Sequence, residues 1–389
     1  MIKQVSYPCE GRSTCYGCNA CAKPSNFHVL SIEGNLLSDK ILVDIGTTTV
    51  AVCAIVNGEK KAIGFVNPQR RYGADVMSRI KASNEGREEE LRRCLREKLK
   101  VVLEENFDKL CEEKKALVIA ANTTMMHIFR GLSTEGLGKA PFHPVDLSFY
   151  KEMDSYFGRE IIYLPGISTF VGADIVSGIL ATDMDQKDEV ALLVDLGTNG
   201  EMVIGNKKKL LVASTAAGPA FEGSRLAMTL HGSGIISLLS RLRQNDVMDE
   251  YGTLSDEYFE DGYPVLKGTM SQEEIRDIQM AKSAIRSGIE ILIQEYGIKK
   301  DELKTVYLAG GMSPYLKVED GVAIGLFPEE FKEITKVVGN SALKGADVFA
   351  STEEAFAKER VEAILSKADE VVLANHKNFE EYYIEYMNF

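Results

Sequence analysis

Two stretches constrain the fold of this 389-residue chain more than any other: Ile41-Leu-Val-Asp-Ile-Gly-Thr-Thr-Thr-Val-Ala-Val-Cys-Ala-Ile55 and Leu192-Leu-Val-Asp-Leu-Gly-Thr-Asn-Gly-Glu-Met-Val-Ile-Gly205. Each is an apolar strand broken just after an aspartate, Asp44 or Asp195. The break reads as a phosphate loop. Gly46 and Gly197 let backbone N–H groups approach an anion, and Thr47, Thr48, Thr49, Thr198 and Asn199 add donors. An aspartate alone would repel phosphate, but it is useful where a cation stands between the two. A single Asp-x-Gly also fits an ordinary hairpin. Two copies about 150 residues apart, each continued by a second strand, a turn and a third strand, point to two related α/β lobes.

The intervening sequence fills in those lobes. Val56-Asn-Gly-Glu59 predicts a tight hairpin returning antiparallel as Lys61 to Val66, and Ile204-Gly-Asn-Lys207 does the same before Leu210 to Ser214. Tyr72-Gly-Ala-Asp75 is repeated as Val171-Gly-Ala-Asp174, and a helix with small residues starts in each. Arg87 to Lys115 carries Leu91, Leu95, Leu99, Leu103 and Leu110 near helical spacing, and reads as one amphipathic surface helix with a solvated charged face. Leu117 to His127 is a buried parallel-type strand ending in polar residues, where α/β domains usually place ligand contacts. For His127 a satisfied structural role is favoured over a functional one. Ala216 to Arg225, with Gly218, either cradles a ligand or simply opens a helix. Ser271 and Glu274 cap a long helix whose Ile275, Ile278, Ala281, Ile285, Ile289 and Leu292 form a core stripe. The strand from Thr305 ends in Gly310 and Gly311, where a flat base can lie against the backbone or the chain simply turns. Gly339 to Ala346 begins another small-residue helix, able to cross a neighbour closely. The aromatic tail from Phe379 to Phe389 is expected to pack on the fold.

A net charge of −13 argues against nucleic acid as a general partner. No apolar run approaches a membrane span and no signal pattern opens the chain, so a cytoplasmic protein with no membrane contact is expected. Four of seven cysteines, Cys9, Cys15, Cys18 and Cys21, fall at intervals of six, three and three residues. Thiolates crowded in this way call for a cation. The C-x-x-C-x-x-C part favours a [4Fe–4S] cluster, with [2Fe–2S] and structural zinc as the alternatives. Cys53, Cys94 and Cys111 read as ordinary core or surface thiols.

The order of the Asp44 loop, the small-residue helix at 172–182, the Asp195 loop, Ala309-Gly-Gly311 and the small-residue helix at 341–346 resembles the actin, sugar kinase and heat-shock chaperone ATPase (ASKHA) superfamily. Within it, Asn67-Pro-Gln, Tyr72-Gly-Ala-Asp75, Asn122-Thr-Thr-Met125, Leu164-Pro-Gly, Phe170-Val-Gly-Ala-Asp174, Ala216-Ala-Gly-Pro-Ala-Phe-Glu-Gly223 and Gly339-Asn-Ser341 resemble the reductive activators of corrinoid-dependent enzymes, the RACo and RamA type. The resemblance covers about residues 41–389. It implies two ribonuclease-H-like lobes, at 41–185 and 186–389, behind a cysteine-rich segment at 1–40. It also implies ATP and Mg²⁺ at catalytic Asp44 and Asp195, with the two threonine loops on phosphate, Gly310 and Gly311 on adenosine, and Gly218 among the nucleotide-binding residues.

The activity implied is ATP-driven electron transfer from an iron–sulfur cluster to a corrinoid protein or methyltransferase, taking Co(II) to Co(I), with an upstream ferredoxin-like donor. Cys9 to Cys18 is similar to a plant-type ferredoxin loop. Only some forty residues precede the ATPase, however, and Cys21 follows at once, which suits a compact cubane cluster. Alternatives are an electron donor to another low-potential metalloenzyme of the dehydratase or double-cubane reductase type, a small-molecule kinase, and a zinc-stapled nucleotide sensor. A homodimer is one open assembly.

Overall fold

The computed structural model describes residues 28–30, 36–221, 224–266 and 268–389. Cys9, Cys15, Cys18 and Cys21, and with them the expected cluster, lie outside the described residues. The chain forms two compact units: one reaches to Thr182 and takes in Asn340–Ser366, and the other comprises Asp183–Gly339 and Lys367–Phe389.

The strands of the first unit are β1 (His28–Val29), β2 (Ile41–Ile45), β3 (Thr49–Val56), β4 (Glu59–Val66), β5 (Leu117–Ala121), β6 (Tyr150–Asp154) and β7 (Arg159–Tyr163). They make one sheet in the order β1-β4-β3-β2-β5-β7-β6. The hairpin between β3 and β4 forms at Asn57 and Gly58, whose φ values of 52° and 82° suit a primed turn. Parallel pairing of β2 with β5 and of β5 with β7 buries β5 completely, which explains its unbroken Leu-Val-Ile-Ala-Ala run.

Helices α1 (Val76–Ala82), α2 (Glu88–Asn106), α3 (Asp108–Glu112), α4 (Thr123–Arg130) and α5 (Ala173–Thr182) belong to this unit. The single helix expected over 87–115 breaks at Phe107, and its charged face is not wholly solvated. Arg96 is buried because Nη2 pairs with Asp154 Oδ2 at 2.6 Å and its guanidinium lies against the rings of Phe129, Tyr156 and Phe157. Lys98 is buried beside the Phe65 ring.

The second unit repeats the pattern. Its strands are β8 (Ala191–Leu196), β9 (Gly200–Gly205), β10 (Leu210–Thr215), the small hairpin β11 (Tyr263–Val265) and β12 (Gly268–Met270), then β13 (Thr305–Ala309) and β14 (Thr335–Gly339). The main sheet runs β14-β13-β8-β9-β10, with β8-β9 and β9-β10 antiparallel and β8-β13 and β13-β14 parallel. That is the order and sense of β7-β5-β2-β3-β4 in the first unit, so both units carry the same ribonuclease-H-like sheet. Its helices are α6 (Arg225–Gln244), α7 (Asp256–Phe259), α8 (Gln272–Tyr296) and α9 (Val318–Ala323). Ser271 and Glu274 form the expected capping box on α8, and all six residues of its predicted stripe are buried.

The chain then returns to the first unit as α10 (Ser341–Ser351) and α11 (Glu354–Lys367), before β15 (Ala368–Glu370) joins β10 and α12 (Phe379–Glu385) packs on α8. Residues 340–366 therefore depart from the expected split at 185/186. The cause is close packing: a Cβ on Gly345 of α10 would lie 1.8 Å from the Ser177 carbonyl oxygen of α5. Only glycine allows that crossing. Phe379, Tyr382 and Phe389 of the tail cover the second unit's core, as expected. Among the described residues no helix is long and apolar enough to cross a membrane.

Candidate functional site

In the first unit, register places Asp44 opposite Ala51 on β3 and Ala120 on β5, at the end of the sheet where the loop 46–48 begins. Gly46 N donates to Thr49 O at 3.0 Å and closes the turn. Three successive loop carbonyls are then held: Gly46 O accepts from Asn67 Nδ2 (2.9 Å), Thr47 O from Arg79 Nη2 (2.6 Å) and Thr48 O from Asn67 N (2.8 Å). In a trans peptide the next N–H points opposite to the carbonyl, so the loop amides of Thr47 and Thr48 are turned away from Asn67 and Arg79. Amides turned in this way can receive an anion. Thr47 is itself buried, and its Oγ1 accepts from Asn122 Nδ2 at 3.0 Å, so this expected phosphate donor also pins the loop.

Asp44 is oriented from another direction. Asn340, the N-cap of α10, donates from Nδ2 to Asp44 Oδ2 at 2.7 Å while its Oδ1 accepts from Leu343 N at 2.7 Å. Asp174 stands in the first turn of α5. Gly172, just before it, approaches β5 so closely that a Cβ would lie 2.6 Å from Asn122 Cα. Burial pushes the Asp174 carboxyl up to about 6. A carboxyl poised there can exchange a proton near neutral pH.

His127 is fully buried with both ring nitrogens in use. Nδ1 faces Thr123 O at 2.8 Å and Nε2 accepts from Val145 N at 2.9 Å, while burial lowers its pKa. It is a structural, neutral imidazole, as the sequence favoured.

In the second unit Asp195 pairs in register with Glu201 on β9 and Ala309 on β13. Its loop, Gly197 to Asn199, is one residue shorter between the paired positions than the first and is closed by Gly197 N donating to Asn199 O at 3.0 Å. Thr198 is buried. The end of β13 lies directly against this loop: Gly310 has φ 97°, and a Cβ there would sit 2.2 Å from Leu196 O and 3.0 Å from Asp195 Oδ1. Packing therefore accounts for Gly310, whereas a Cβ on Gly311 would meet nothing within 4 Å, which leaves Gly311 as the open backbone surface.

Gly218, with φ 69°, lines a cleft of about 360 Å³ within this unit, together with Ala216, Ala217, Glu274, Asp277 and Tyr383. Ser224 Oγ in the same segment accepts from Ala227 N and caps α6. The segment opens α6, as one of its two expected roles required, and residues 222 and 223 lie outside the described residues.

Asp44 and Asp195 each offer a carboxylate, the kind of hard oxygen donor that Mg²⁺ takes. Among the described residues no three His, Cys, Asp or Glu side chains gather into a self-contained metal site. A magnesium ion at either loop would be held through a carboxylate with phosphate and water, its usual manner in nucleotide sites. The residues present fit that role. Cys53 and Cys94 are buried free thiols whose pKa values burial raises to about 12 and about 11, as expected of inert core cysteines.

Sequence reasoning passed over Asn340, Asn67, Arg79 and Asp174 as site residues, although all but Arg79 lie in motifs quoted for the family resemblance. It also passed over His231, where α6 breaks at φ 59°, ψ 157° and Gly232 comes against Met312, next to Gly311. The two glycines in Leu230-His-Gly-Ser-Gly234 were the available signal.

Residues 40–187 match the RACo middle region, and 189–231 and 224–389 match the C-terminal ASKHA domain of RACo. The chain belongs to the RACo family. Among curated relatives of this RACo-family chain, the corrinoid activation enzyme RamQ of Eubacterium limosum is 29% identical over 81% of this chain and 64% of its own length. The reductase of the methylated-amine-specific corrinoid protein of Methanosarcina barkeri is 26% identical over 58% of this chain and 51% of its own. The chain thus spans less than two thirds of either relative. Among solved structures, a reductive activator for a corrinoid, iron–sulfur protein superimposes with a TM-score of 0.79 at 27% identity, over 92% of this chain and 67% of that one. The ASKHA-type fold expected from the sequence is therefore the fold of this RACo-family protein.

Proposed function

We propose that this protein is an ATP-dependent reductive activator that drives low-potential electrons onto a corrinoid protein, converting Co(II) to Co(I). The observation that carries the nucleotide half is the Gly46–Thr48 loop, with three successive carbonyls held and Asp44 oriented by Asn340. Family membership and the names of the relatives support the corrinoid half.

Bound ATP would present its phosphates to the amides of the Gly46 and Gly197 loops, with Thr48, Thr49, Thr198 and Asn199 adding donors. Asp44 and Asp195 would hold Mg²⁺, which neutralises developing charge on the transferred phosphoryl group. Asp174 accepts a proton from the attacking water, which needs no covalent intermediate. Gly311 and the Gly218 segment are assigned to the nucleoside side.

Cys9, Cys15, Cys18 and Cys21 would hold the iron–sulfur cluster, a [4Fe–4S] centre, through which electrons pass from an upstream ferredoxin-like donor. Hydrolysis can help an uphill transfer only through a conformation in which donor and acceptor differ in affinity or potential. The cytoplasm is the proposed compartment.

Asp195→Ala is the test of the ATPase. It should abolish Mg²⁺-dependent ATP hydrolysis more than ATP binding, since the metal loses a ligand while the Gly311 surface is intact. Unchanged turnover would overturn the assignment. Anaerobic iron, sulfide and zinc analysis tests the thiols, and stoichiometric zinc without iron would retire the redox half.

A further inference from the structure

Arg79 of α1 is fully buried behind the first loop. Its Nε donates to Gly73 O (3.1 Å), Nη1 to Gln69 Oε1 and Met125 Sδ (both 3.3 Å), and Nη2 to Thr47 O (2.6 Å). Among the described residues no carboxylate hydrogen-bonds this guanidinium. Of the acidic groups it feels, Cys94 is a thiol whose pKa burial raises to about 11, and Asp75 turns Oδ1 to Ser78 N and Oδ2 to Ser78 Oγ, each at 2.8 Å. Burying a cation without an ion-pair partner is expensive, and a neutral side chain would fill the same space at lower cost. The shortest of its hydrogen bonds goes to the peptide that matters most for an anion at the loop.

That peptide joins the Thr47 carbonyl to the Thr48 N–H. A positive charge on the oxygen end polarises the whole amide and strengthens the N–H as a donor on the opposite side. Neither aspartate loop contains a lysine or arginine: residues 41–55 and 192–205 carry no basic side chain at all. A phosphate arriving at the first loop meets the Asp44 carboxylate, and no basic side chain of the loop itself offsets that charge. Resting on the nucleotide reading above, we infer that Arg79 is the buried cation of the first phosphate loop, acting through the Thr47–Thr48 peptide without touching the phosphate. It is a positioning residue that sets how strongly the loop holds phosphate charge. Desolvation lowers its pKa to about 9, in keeping with a charge that lacks a close counter-ion in the absence of ligand.

The test is binding of MgATP and of adenosine by calorimetry to the full-length protein and to Arg79→Lys, Arg79→Gln and Arg79→Met, at low and high salt. Loss of the charge in the Gln and Met variants should weaken MgATP by about tenfold or more, the scale of one charge-assisted hydrogen bond. Adenosine should bind all four proteins within about twofold, and Lys should restore most of the MgATP affinity, because a purely structural defect would not sort ligands by charge. Equal losses for MgATP and adenosine would reduce Arg79 to a packing residue and overturn the inference, as would MgATP affinity unchanged in Arg79→Gln. If Arg79→Met fails to fold by circular dichroism, the Lys and Gln pair carries the same comparison. Failure of the wild-type protein to bind MgATP at all would overturn the nucleotide reading itself, a result distinct from equal affinity across the variants.

Discussion

Asn340 does two jobs with one amide, and substitutions can separate them. Its Oδ1 caps α10 through Leu343 N, and its Nδ2 holds Asp44 Oδ2, both at 2.7 Å. Loss of an N-cap costs about 1 kcal/mol, and loss of a hydrogen bond to an ionised carboxylate about 1.5–3 kcal/mol. Asn340→Ala, which loses both, should therefore destabilise the protein by about 3 kcal/mol. Asn340→Ser keeps a capping oxygen but is too short to reach Asp44, so it should retain the first term and lose the second, about 2 kcal/mol. Asn340→Asp is also a good cap, but it would set a second carboxylate near 3 Å from Asp44; two unit charges at that distance repel by about 5 kcal/mol at an effective dielectric constant of 20, an upper bound because the pair can share a proton. Urea unfolding without nucleotide ranks stability, and Mg²⁺-dependent ATP turnover reports on Asp44. Both Ser and Asp should lose turnover although α10 stays capped. An Asn340→Asp variant with wild-type stability and turnover would refute the claim that this amide orients Asp44.

Three further outcomes follow from other sites. Asp174 is protonated below about 6 and ionised above it, so hydrolysis should rise with pH through 6 and then level; Asp174→Asn should flatten that limb and cut turnover by about a hundredfold, read from a pH–rate profile. Lys282 on α8 is buried against the Asn388 carbonyl and the Phe389 ring, and burial lowers its pKa from 10.5 to about 7. Between those values the unfolded chain binds the extra proton, so stability should rise with pH across that window. Urea midpoints at several pH values should show this rise in the wild type and lose it in Lys282→Met; equal slopes would contradict it. Gly345→Ala has to move α5 and α10 apart by about 1.5 Å to relieve the 1.8 Å approach to Ser177 O, at a cost of about 1–3 kcal/mol against a helix gain near 1 kcal/mol. Net destabilisation is expected in chemical denaturation, and a stabilised variant would show the crossing to be loose.

Local chemistry made much of this molecule legible from its sequence. Asn57-Gly58 fixed a hairpin because both positions adopt positive φ, and Ser271 with Glu274 marked the start of α8 because their side chains satisfy the backbone donors there. The repeated strand, aspartate, glycine pattern produced the repeated sheet order because alternation and turn chemistry decide which strands pair locally. What stayed hidden depended on distant neighbours. Nothing in residues 340–366 says which sheet they cover, since small residues permit close packing without naming the partner. Charges at Arg96 and Lys98 read as solvated, and Arg79 drew no reading, because burial of a charge is decided by groups far along the chain, here Asp154, Phe65 and Thr47. The twin Gly-Ala-Asp motifs look alike in sequence, yet Asp75 caps α1 whereas Asp174 has a burial-raised pKa. The loop itself was found from its own residues, but the asparagines that hold it were not.

The central claim is coupling of ATP hydrolysis to corrinoid reduction. The direct measurement mixes the anaerobically reduced full-length protein with an inactive Co(II) corrinoid protein from the same source and follows the visible spectrum for Co(I), with and without MgATP. Co(I) is expected only when MgATP is present, and none from Asp195→Ala or Cys18→Ala. Co(I) formed equally well without ATP, or by either variant, would contradict it.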